Sequence, residues 1–364
     1  SVAAITLATI CSSDASSTTP TNGGGSASTD IVPSNTIYAW SAPTVTGLSG
    51  MSSATLASGT TSFATGTLVN ATDVAIPVTY SVTPKSGSCA GSAFNVTITV
   101  DPKPSIANIT LAAICSGNAS TTTPTDDHAN GGDIVPAGTT YAWSAPVVTG
   151  LSGMSSATLA SATTSFATGT LVNSTNAAIT VTYTVTPTSG NCTGAPFTVS
   201  VTVNPKPSIA AISLSAICSA TSTSTTPGNG GGVNSTDIVP GNTTYTWAAP
   251  TVAGLSGMSS GAAASSFTSG TITNSTNAAI GVTYSVTPTS GSCTGTAFDV
   301  TFTVDPKPSI AAITLSAICS GTAASTTPSN GGGSASADIV PAGTTYSWTA
   351  PTVAGLSGMS SATV

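Results

Sequence analysis

The sequence is almost without charge. Its 364 residues include eleven Asp but no Glu, four Lys but no Arg, and one histidine, His128. Charged residues make up 4% of the chain, against about 25% in ordinary soluble proteins. Four lysines cannot form the basic surface that nucleic-acid binding requires, so we expect no nucleic-acid partner. With a single imidazole, the chain also offers little for nucleophilic or acid–base catalysis, and we predict that it is not an enzyme and uses no cofactor.

Long apolar runs are missing as well. Thr or Ser interrupts every run before it approaches the roughly 18 apolar residues that a membrane-spanning helix needs, so we expect no membrane insertion. Helix-forming residues other than Ala are scarce, whereas Thr, Val and Ile are abundant. This composition predicts an all-β protein.

The sequence does contain a long internal repeat. The string Ile-Cys-Ser recurs four times, with its cysteines at Cys11, Cys115, Cys218 and Cys319. A Tyr-x-Trp pair and the string Gly-Leu-Ser-Gly-Met follow each time, and Pro-Lys-Pro closes the first three copies. We therefore predict four repeats, the last incomplete, at residues 1–104, 105–207, 208–308 and 309–364. We also expect the natural polypeptide to continue with a segment resembling 57–104 that supplies a partner for Cys319.

Each full repeat has about 100 residues, a normal size for one folded domain. In 78–83 and 94–100, apolar residues alternate with hydroxyl-bearing ones, and the turn at 85–88 between them predicts a terminal β-hairpin. Earlier strands are predicted at 4–10, 36–40 and 63–69, with Trp40 in the core. Many short strands joined by Gly- and Ser-rich turns indicate an immunoglobulin-like β-sandwich. The predicted architecture is an extended array of such sandwiches, arranged as beads.

The seven cysteines indicate disulfides and an oxidising compartment. We favour pairing within each repeat, and the expected pairs are Cys11 with Cys89, Cys115 with Cys192, and Cys218 with Cys293. Cys319 is then unpaired. An alternative joins neighbouring repeats across the linker, Cys89 to Cys115 and Cys192 to Cys218. Metal ligation by cysteine is not indicated, because no Cys-x-x-Cys is present.

Two further motifs have both a chemical and a structural interpretation. Gly47-Leu-Ser-Gly-Met51 resembles a serine-nucleophile turn, but we interpret it as a glycine-rich turn that directs Leu48 and Met51 inward. The segment from Asp126 to Asp133 in repeat 2 has the oxygen density of a calcium loop, although a solvated polar loop is the favoured interpretation. The recurring Asp-Ile-Val-Pro is predicted to cap a loop.

Several motifs together resemble a known family. The run from Val181 to Gly194, the run Phe197-Thr-Val-Ser-Val-Thr-Val-Asn-Pro-Lys-Pro207, the opening Ile-Cys-Ser-Gly and the Tyr-x-Trp-x-x-Pro segment resemble the PKD-like repeats of Bacteroidota surface proteins. The chain departs from ordinary PKD modules in lacking a Trp-Asp-Phe-Gly-Asp-Gly type motif. It also has a Gly/Ser insertion before each of Asp30, Asp133, Asp237 and Asp338. The resemblance implies an extracellular, cell-surface location, export through the type IX route, and a role in adhesion, gliding or surface filaments.

The function predicted from the sequence is a structural repeat region, a stalk or fibre shaft, in a large secreted adhesin or extracellular filament. Thr and Ser cover the predicted outward faces where Lys and Glu are usual, which suits either an inert stalk or side-by-side packing into a fibre. The expected partners are other copies of the chain, with surface or glycan ligands as further candidates. A glycan-binding or accessory module of a secreted carbohydrate-active protein is the alternative function.

Overall fold

The computed structural model describes residues 1–23, 29–230, 236–331 and 337–363. The Gly/Ser insertions of repeats 1, 3 and 4 lie partly outside these residues. Regular structure within the described ranges is β-strand, with 3-10 turns at Leu56–Ser58, His128–Asn130 and Leu159–Ser161. None of the helices in those ranges is long and apolar enough to cross a membrane. The chain divides into two compact units, one formed by Ser1–Asn173 with Ile179–Val203, the other by Ser174–Ala178 with Asn204–Val364.

The strands repeat with nearly constant spacing. Repeat 1 contains β1 Ile5–Thr6, β2 Ile10–Cys11, β3 Ser17–Thr18, β4 Ile37–Trp40, β5 Leu48–Ser49, β6 Phe63–Ala64, β7 Val69–Asn70, β8 Ile76–Ser86, β9 Cys89–Ala90 and β10 Phe94–Asp101. Repeat 2 contains β11 Ile109–Thr110, β12 Ile114–Cys115, β13 Thr121–Thr122, β14 Thr140–Trp143, β15 Leu151–Ser152, β16 Phe166–Ala167, β17 Val172–Asn173, β18 Ile179–Ser189, β19 Cys192–Thr193 and β20 Phe197–Asn204. Repeat 3 contains β21 Ile212–Ser213, β22 Ile217–Cys218, β23 Ser224–Thr225, β24 Thr244–Trp247, β25 Leu255–Ser256, β26 Gly261–Ala264, β27 Phe267–Thr268, β28 Thr273–Asn274, β29 Ile280–Ser290, β30 Cys293–Thr294 and β31 Phe298–Asp305.

Repeats 1 to 3 are immunoglobulin-like sandwiches, as predicted. In repeat 1 the main sheet has the order β1-β10-β8-β4, with β2 also on β10 and β9 on β8. The pairs β3–β6 and β5–β7 provide the opposing layer, and their inward residues join those of the main sheet in one core. Repeat 2 has the same arrangement, and repeat 3 adds β26 beside β24.

The predicted terminal hairpin is confirmed. β8 and β10 pair antiparallel from Phe94 opposite Val82 to Val100 opposite Ile76. The apolar members of the alternation are buried, while the Thr79 and Thr97 hydroxyls meet at 3.1 Å on the outer face. Period-two alternation therefore has the expected cause, one buried face and one solvated face.

The predicted first strand at 4–10 is wrong as a continuous element. Ile5 lies opposite Val96 and Ile10 opposite Val100, both in parallel pairing. Ile10 is five residues after Ile5, but Val100 is only four residues after Val96. One extra residue is therefore accommodated between β1 and β2, and it divides the strand. The predicted strand at 63–69 is divided in a similar way, at Gly66, whose φ is +79°.

Aromatic rings form the centre of each core. Phe63 lies 5.0 Å from Trp40 and 4.9 Å from Tyr80, measured between ring centroids. Trp40 is buried, as predicted from the sequence. The Tyr80 hydroxyl donates to the Thr65 carbonyl oxygen at 2.7 Å, and burial raises the pKa of Tyr80 to about 12. The equivalent rings of repeats 2 and 3 pack in the same way.

Repeat 4 differs from the other three in its exposure. Its sequence contains only positions equivalent to the first part of a sandwich, without the long hairpin on which the core packs in repeats 1 to 3. Large apolar side chains of repeat 4 are accordingly exposed, including Ile313, Leu315, Trp348 and Leu356.

Candidate functional site

The candidate site is the junction between repeats 1 and 2, where a disulfide, the only histidine and a short proline-rich linker meet. Each sandwich has two ends, which we name by the cysteine found there. The first-cysteine end of repeat 1 is where Cys11 lies opposite Asp101, the last residue of β10. The second-cysteine end is where Cys89 lies opposite Ser86, the last residue of β8.

The length of β8 separates these two ends. Val100 pairs with Ile76 at the beginning of β8, and Cys89 pairs with Ser86 at its end. Ten residues of strand at about 3.3 Å each place the two levels roughly 33 Å apart. A disulfide requires Cα atoms within about 7 Å. The expected bond between Cys11 and Cys89 is therefore wrong, and the reason is the length of this hairpin.

Cys11 is bonded instead to Cys192 of repeat 2, with 5.5 Å between the Cα atoms. The first cysteine of one repeat is thus joined to the second cysteine of the next. This also contradicts the expected bond of Cys192 to Cys115 and the alternative bond to Cys218. Cys115 and Cys293 are disulfide-bonded too, whereas the free cysteines are Cys89, Cys218 and Cys319, all exposed. The expected bond of Cys218 to Cys293 and the alternative bond of Cys89 to Cys115 are therefore wrong as well.

The linker packs tightly against repeat 2 beside this disulfide. A Cβ atom added to Gly194 would lie 2.2 Å from the carbonyl oxygen of Pro104, the last residue of repeat 1. Only a glycine can occupy this position, because any side chain would overlap the linker. Ser105 and Ile134 then exchange two backbone hydrogen bonds, of 3.0 and 2.8 Å, that attach the beginning of repeat 2 to its own body. The same close approach occurs in repeat 3, where Gly295 faces Pro207 at 2.3 Å.

A small charged cluster bridges the same junction. The Nδ1 atom of His128 lies 2.5 Å from Oδ2 of Asp126, and its Nε2 atom lies 3.7 Å from Oδ1 of Asp73 in repeat 1. The hydrogen bond to Asp126 raises the pKa of His128, and the charges of Asp126 and Asp73 act in the same direction, against a smaller opposing effect of burial. A backbone hydrogen bond from Val135 is the main cause that lowers the pKa of Asp126, and His128 adds to it.

The cluster is specific to this junction within the array. At the position of Asp126 the other repeats carry Asn22, Asn229 and Asn330. The side-chain oxygen of each Asn accepts a backbone N–H from a valine, as Asp126 does from Val135. At the position of Asp73, repeats 2 and 3 carry Asn176 and Asn277. At this junction Asp73 and Asp126 thus stand where the other repeats have Asn, and both carboxylates face His128. The contact is therefore ionic here, whereas the equivalent Asn side chains carry no charge.

The polar loop from Asp126 to Asp133 does not direct its carboxylates to one point. Oδ1 of Asp133 accepts the Ala107 N–H at 2.8 Å. The same bond recurs in the other repeats, so the predicted loop cap is confirmed. There the backbone N–H groups of Ala3, Ala210 and Ala311 donate to Asp30, Asp237 and Asp338, respectively. Among the residues that the structure describes, the atoms close enough to share a metal ion are those of Asp73, Asp126 and His128, all within 4.8 Å of one another. A carboxylate and imidazole set suits transition metals better than calcium.

The Gly47–Met51 turn is structural. Leu48 is buried and Met51 packs against the core, as predicted. Gly47 and Gly50 have φ values of +79° and +80°, and Ser49 pairs with Val69 in the β5–β7 ladder. Ser49 is thus a strand residue of repeat 1, and His128, the one imidazole of the sequence, contacts Asp126 at the junction.

Comparison with solved structures finds similar multi-domain chains at low identity. "PcdhgB3 EC1-4" is 9% identical, with a TM-score of 0.28, over 74% of this chain and 66% of that one. The "Protocadherin GammaB4 extracellular domain" is 11% identical, with a TM-score of 0.27, over 76% of this chain and 44% of that one. "Sidekick-1 immunoglobulin domains 1-4" is 11% identical, with a TM-score of 0.22, over 84% and 73%. The chain therefore spans two thirds or less of both protocadherin fragments, and scores this low carry no inference about partners.

No curated protein matches the sequence. The family model described as "PKD-like domain" matches three times, at residues 8–104, 112–207 and 215–308. These matches cover most of the chain, and one lies within each of the three complete sandwiches. The chain belongs to the PKD-like domain family, as a tandem array.

Proposed function

We propose that this chain is a non-enzymatic structural repeat region, the stalk or fibre shaft of a large secreted adhesin or extracellular filament at a cell surface. The observation that carries the proposal is the disulfide between Cys11 and Cys192. It joins consecutive repeats by a second covalent path in addition to the linker. In this proposal each repeat is one load-bearing unit, with the boundaries 1–104, 105–207 and 208–308 and the partial unit 309–364.

The disulfides also support an extracellular location. Such bonds persist in secreted and surface proteins and are rare in the cytosol. The similarity of the motifs to PKD-like repeats of Bacteroidota surface proteins is in accord with this location and with export by the type IX route. The near absence of charge on the strands is compatible with other copies of the chain as partners, since Thr-covered faces carry no charge that would repel a neighbour.

A stalk must resist extension, and the position of the disulfide provides this resistance. Cys11 and Cys192 are 181 residues apart in sequence. Under tension along the chain, the residues between them cannot lengthen the molecule while the bond is intact. At about 3.3–3.6 Å per extended residue, the bond withholds roughly 600 Å of contour length. A closed loop of this size also corresponds to a stabilisation of about 5 kcal/mol by chain-entropy estimates.

The glycan-binding alternative is not favoured by the placement of the aromatic residues. Sugar-binding surfaces use exposed aromatic rings together with convergent polar groups. In repeats 1 to 3 every Trp, Tyr and Phe side chain is buried in a core. The exposed aromatic residues are Tyr346 and Trp348, both in the open repeat 4.

Single-molecule stretching tests the proposal. The chain is held at its two ends, in a background in which Cys115 and Cys293 are replaced by Ser so that only the bond between Cys11 and Cys192 remains. We expect the fully stretched contour to be shorter by roughly 600 Å than that of the same background with Cys11→Ser, because about 180 residues stay inside the closed loop.

Two controls define the outcome. Addition of a reducing agent should abolish the difference, and Cys319→Ser should have no effect, because Cys319 is a free thiol. Equal contour lengths with and without Cys11 would contradict a load-bearing role for this bond.

A further inference from the structure

The second-cysteine end of repeat 1 is built like the same end of repeat 2, but its cysteine is a free thiol. In repeat 2 this end holds Cys192, which is 1% exposed and bonded to Cys11 of the preceding repeat. In repeat 1 the equivalent residue, Cys89, is an exposed free thiol. Both cysteines lie opposite a serine at the end of the long strand, Ser86 or Ser189, so they occupy the same position in the fold.

A glycine next to this cysteine is also shared by the three repeats. Gly194 and Gly295 are each required because a proline carbonyl from the preceding repeat lies within 2.3 Å of where a Cβ atom would be. Gly91 is the equivalent residue in repeat 1, and it likewise donates its N–H to the carbonyl of Pro84, at 2.8 Å. A Cβ atom at Gly91 would meet only Pro84, whose Cγ lies 2.9 Å away. Repeat 1 thus has the same glycine that accommodates the linker proline in repeats 2 and 3.

A concave surface lies at this position. It is lined by residues of the repeat 1 start, by the Ile31–Pro33 loop and by the β8–β9 turn, including Lys85, Cys89 and Gly91. Its lining is more apolar than polar, as suits a proline-rich tail. The equivalent elements of repeat 2, around Ser105, Ile134 and Gly194, meet Pro104 at the junction described above.

We propose that this end of repeat 1 is a docking site for the first-cysteine end of another PKD-like repeat, one that ends in Pro-Lys-Pro and carries a cysteine at the position of Cys11. The terminal proline lies against Gly91, and Cys89 forms a disulfide with that cysteine. The inference rests on the geometry of the junction and is independent of whether the array serves as a stalk or as a binding module.

The bond forms by thiol–disulfide exchange with a small-molecule disulfide such as oxidised glutathione. One protein thiolate attacks oxidised glutathione, forms a mixed disulfide and releases one glutathione thiolate. The second protein thiolate then attacks the protein sulfur of that mixed disulfide and releases the second glutathione. Overall, two protein thiols are oxidised to one disulfide, and one oxidised glutathione is reduced to two glutathione molecules.

The test adds the proposed occupant to the whole chain. A copy of residues 105–207, with its own Cys192 replaced by Ser, is fused before Ser1, which recreates a Pro-Ser junction. After refolding with oxidised and reduced glutathione, non-reducing peptide mapping should recover Cys89 linked to Cys115 of the added copy. Alkylation of Cys89 by iodoacetamide in the folded state should fall at least tenfold relative to the unfused chain.

A matched variant separates docking from simple proximity. Gly91→Ala in the fused chain should restore fast alkylation of Cys89, because the new methyl group would overlap the docked proline. In the unfused chain the methyl group meets only Pro84, 2.9 Å from its Cγ atom, so a small local shift is sufficient and Cys89 should stay as reactive as in the unaltered chain. Three results would overturn the proposal: Cys89 as reactive in the fused chain as in the unfused one, Cys115 of the added copy bonded to any other cysteine, or no effect of Gly91→Ala on the new bond.

Discussion

His128 is the only imidazole in the chain, and its two ring nitrogens face carboxylates of two different repeats. Because its pKa is raised in the folded state, the ionic contact contributes to the junction at pH values below the ordinary histidine pKa of 6.5. That contribution is lost as the pH rises through the raised value. The pKa of Asp126 is lowered, so its carboxylate stays charged down to pH values below 3.8. The contact is therefore fully charged in mildly acidic solution and weakens towards alkaline pH.

An NMR titration of the single histidine checks this directly. In the unaltered chain we expect a pKa above 6.5. In Asp126→Asn the pKa should fall by more than in Asp73→Asn, because the hydrogen bond that His128 donates to Asp126 is the largest cause of the shift. Asp299→Asn, in β31 of repeat 3, is the control and should leave the titration unchanged. An unshifted pKa in the unaltered chain, or equal titration curves for all three variants, would contradict the described contact.

At the scale of the elements, the crossing of two glycine turns holds the opposing layer of each sandwich together. A Cβ atom on Gly50 would lie 1.9 Å from the carbonyl oxygen of Thr67, and one on Gly66 would lie 2.3 Å from the carbonyl oxygen of Gly50. Both glycines also have φ values near +80°. This crossing places β5 beside β7 and brings Leu48 into the core.

Replacement of Gly50 by Ala should therefore separate β5 from β7. Gly59→Ala is a matched control, because Gly59 also has a positive φ, of +63°, but has open space where the Cβ atom would be. The control should cost only the left-handed backbone strain of about 1–2 kcal/mol. Gly50→Ala should cost more, since the backbone itself must move. Hydrogen-exchange mass spectrometry of peptides spanning 48–70 should show the larger loss of protection in Gly50→Ala, and equal losses would refute the crossing.

The elements also show how far the sequence can be interpreted alone. Alternation of apolar and hydroxyl-bearing residues was sufficient for the β8–β10 hairpin, and the aromatic residue Trp40 was correctly placed in the core. Both signals are local. The parallel pairing of β1 and β2 with β10 joins residues about 90 positions apart, and no local pattern records the extra residue between Ile5 and Ile10. The charged cluster was missed for the same reason, because Asp73 and His128 belong to different repeats.

At the scale of the whole molecule, the error in the cysteine pairing has the most consequence. Counting cysteines in each repeat favours pairs within the repeat, but it ignores the end of the sandwich at which each cysteine lies. Cys11 and Cys89 occupy opposite ends of a hairpin, so a repeat cannot close its own disulfide. The same geometry brings the first cysteine of repeat 1 to the second cysteine of repeat 2 when the repeats follow head to tail. Length of the hairpin, more than loop entropy, decides the connectivity.

Cleavage of the chain at its Asp-Pro bonds tests this connectivity. Mild acid hydrolyses Asp-Pro bonds selectively, and the chain has two, Asp101-Pro102 and Asp305-Pro306, which yield fragments 1–101, 102–305 and 306–364. Thiol–disulfide exchange needs a thiolate, so acid also prevents the disulfides from rearranging during the reaction. Without reduction, fragment 1–101 should remain attached to 102–305 through Cys11 and Cys192. Fragment 306–364 should separate, because Cys319 is a free thiol. Reduction or Cys11→Ser should release fragment 1–101. Release of this fragment from the unaltered chain without reduction would contradict the bond between Cys11 and Cys192 and would favour pairing within the repeat.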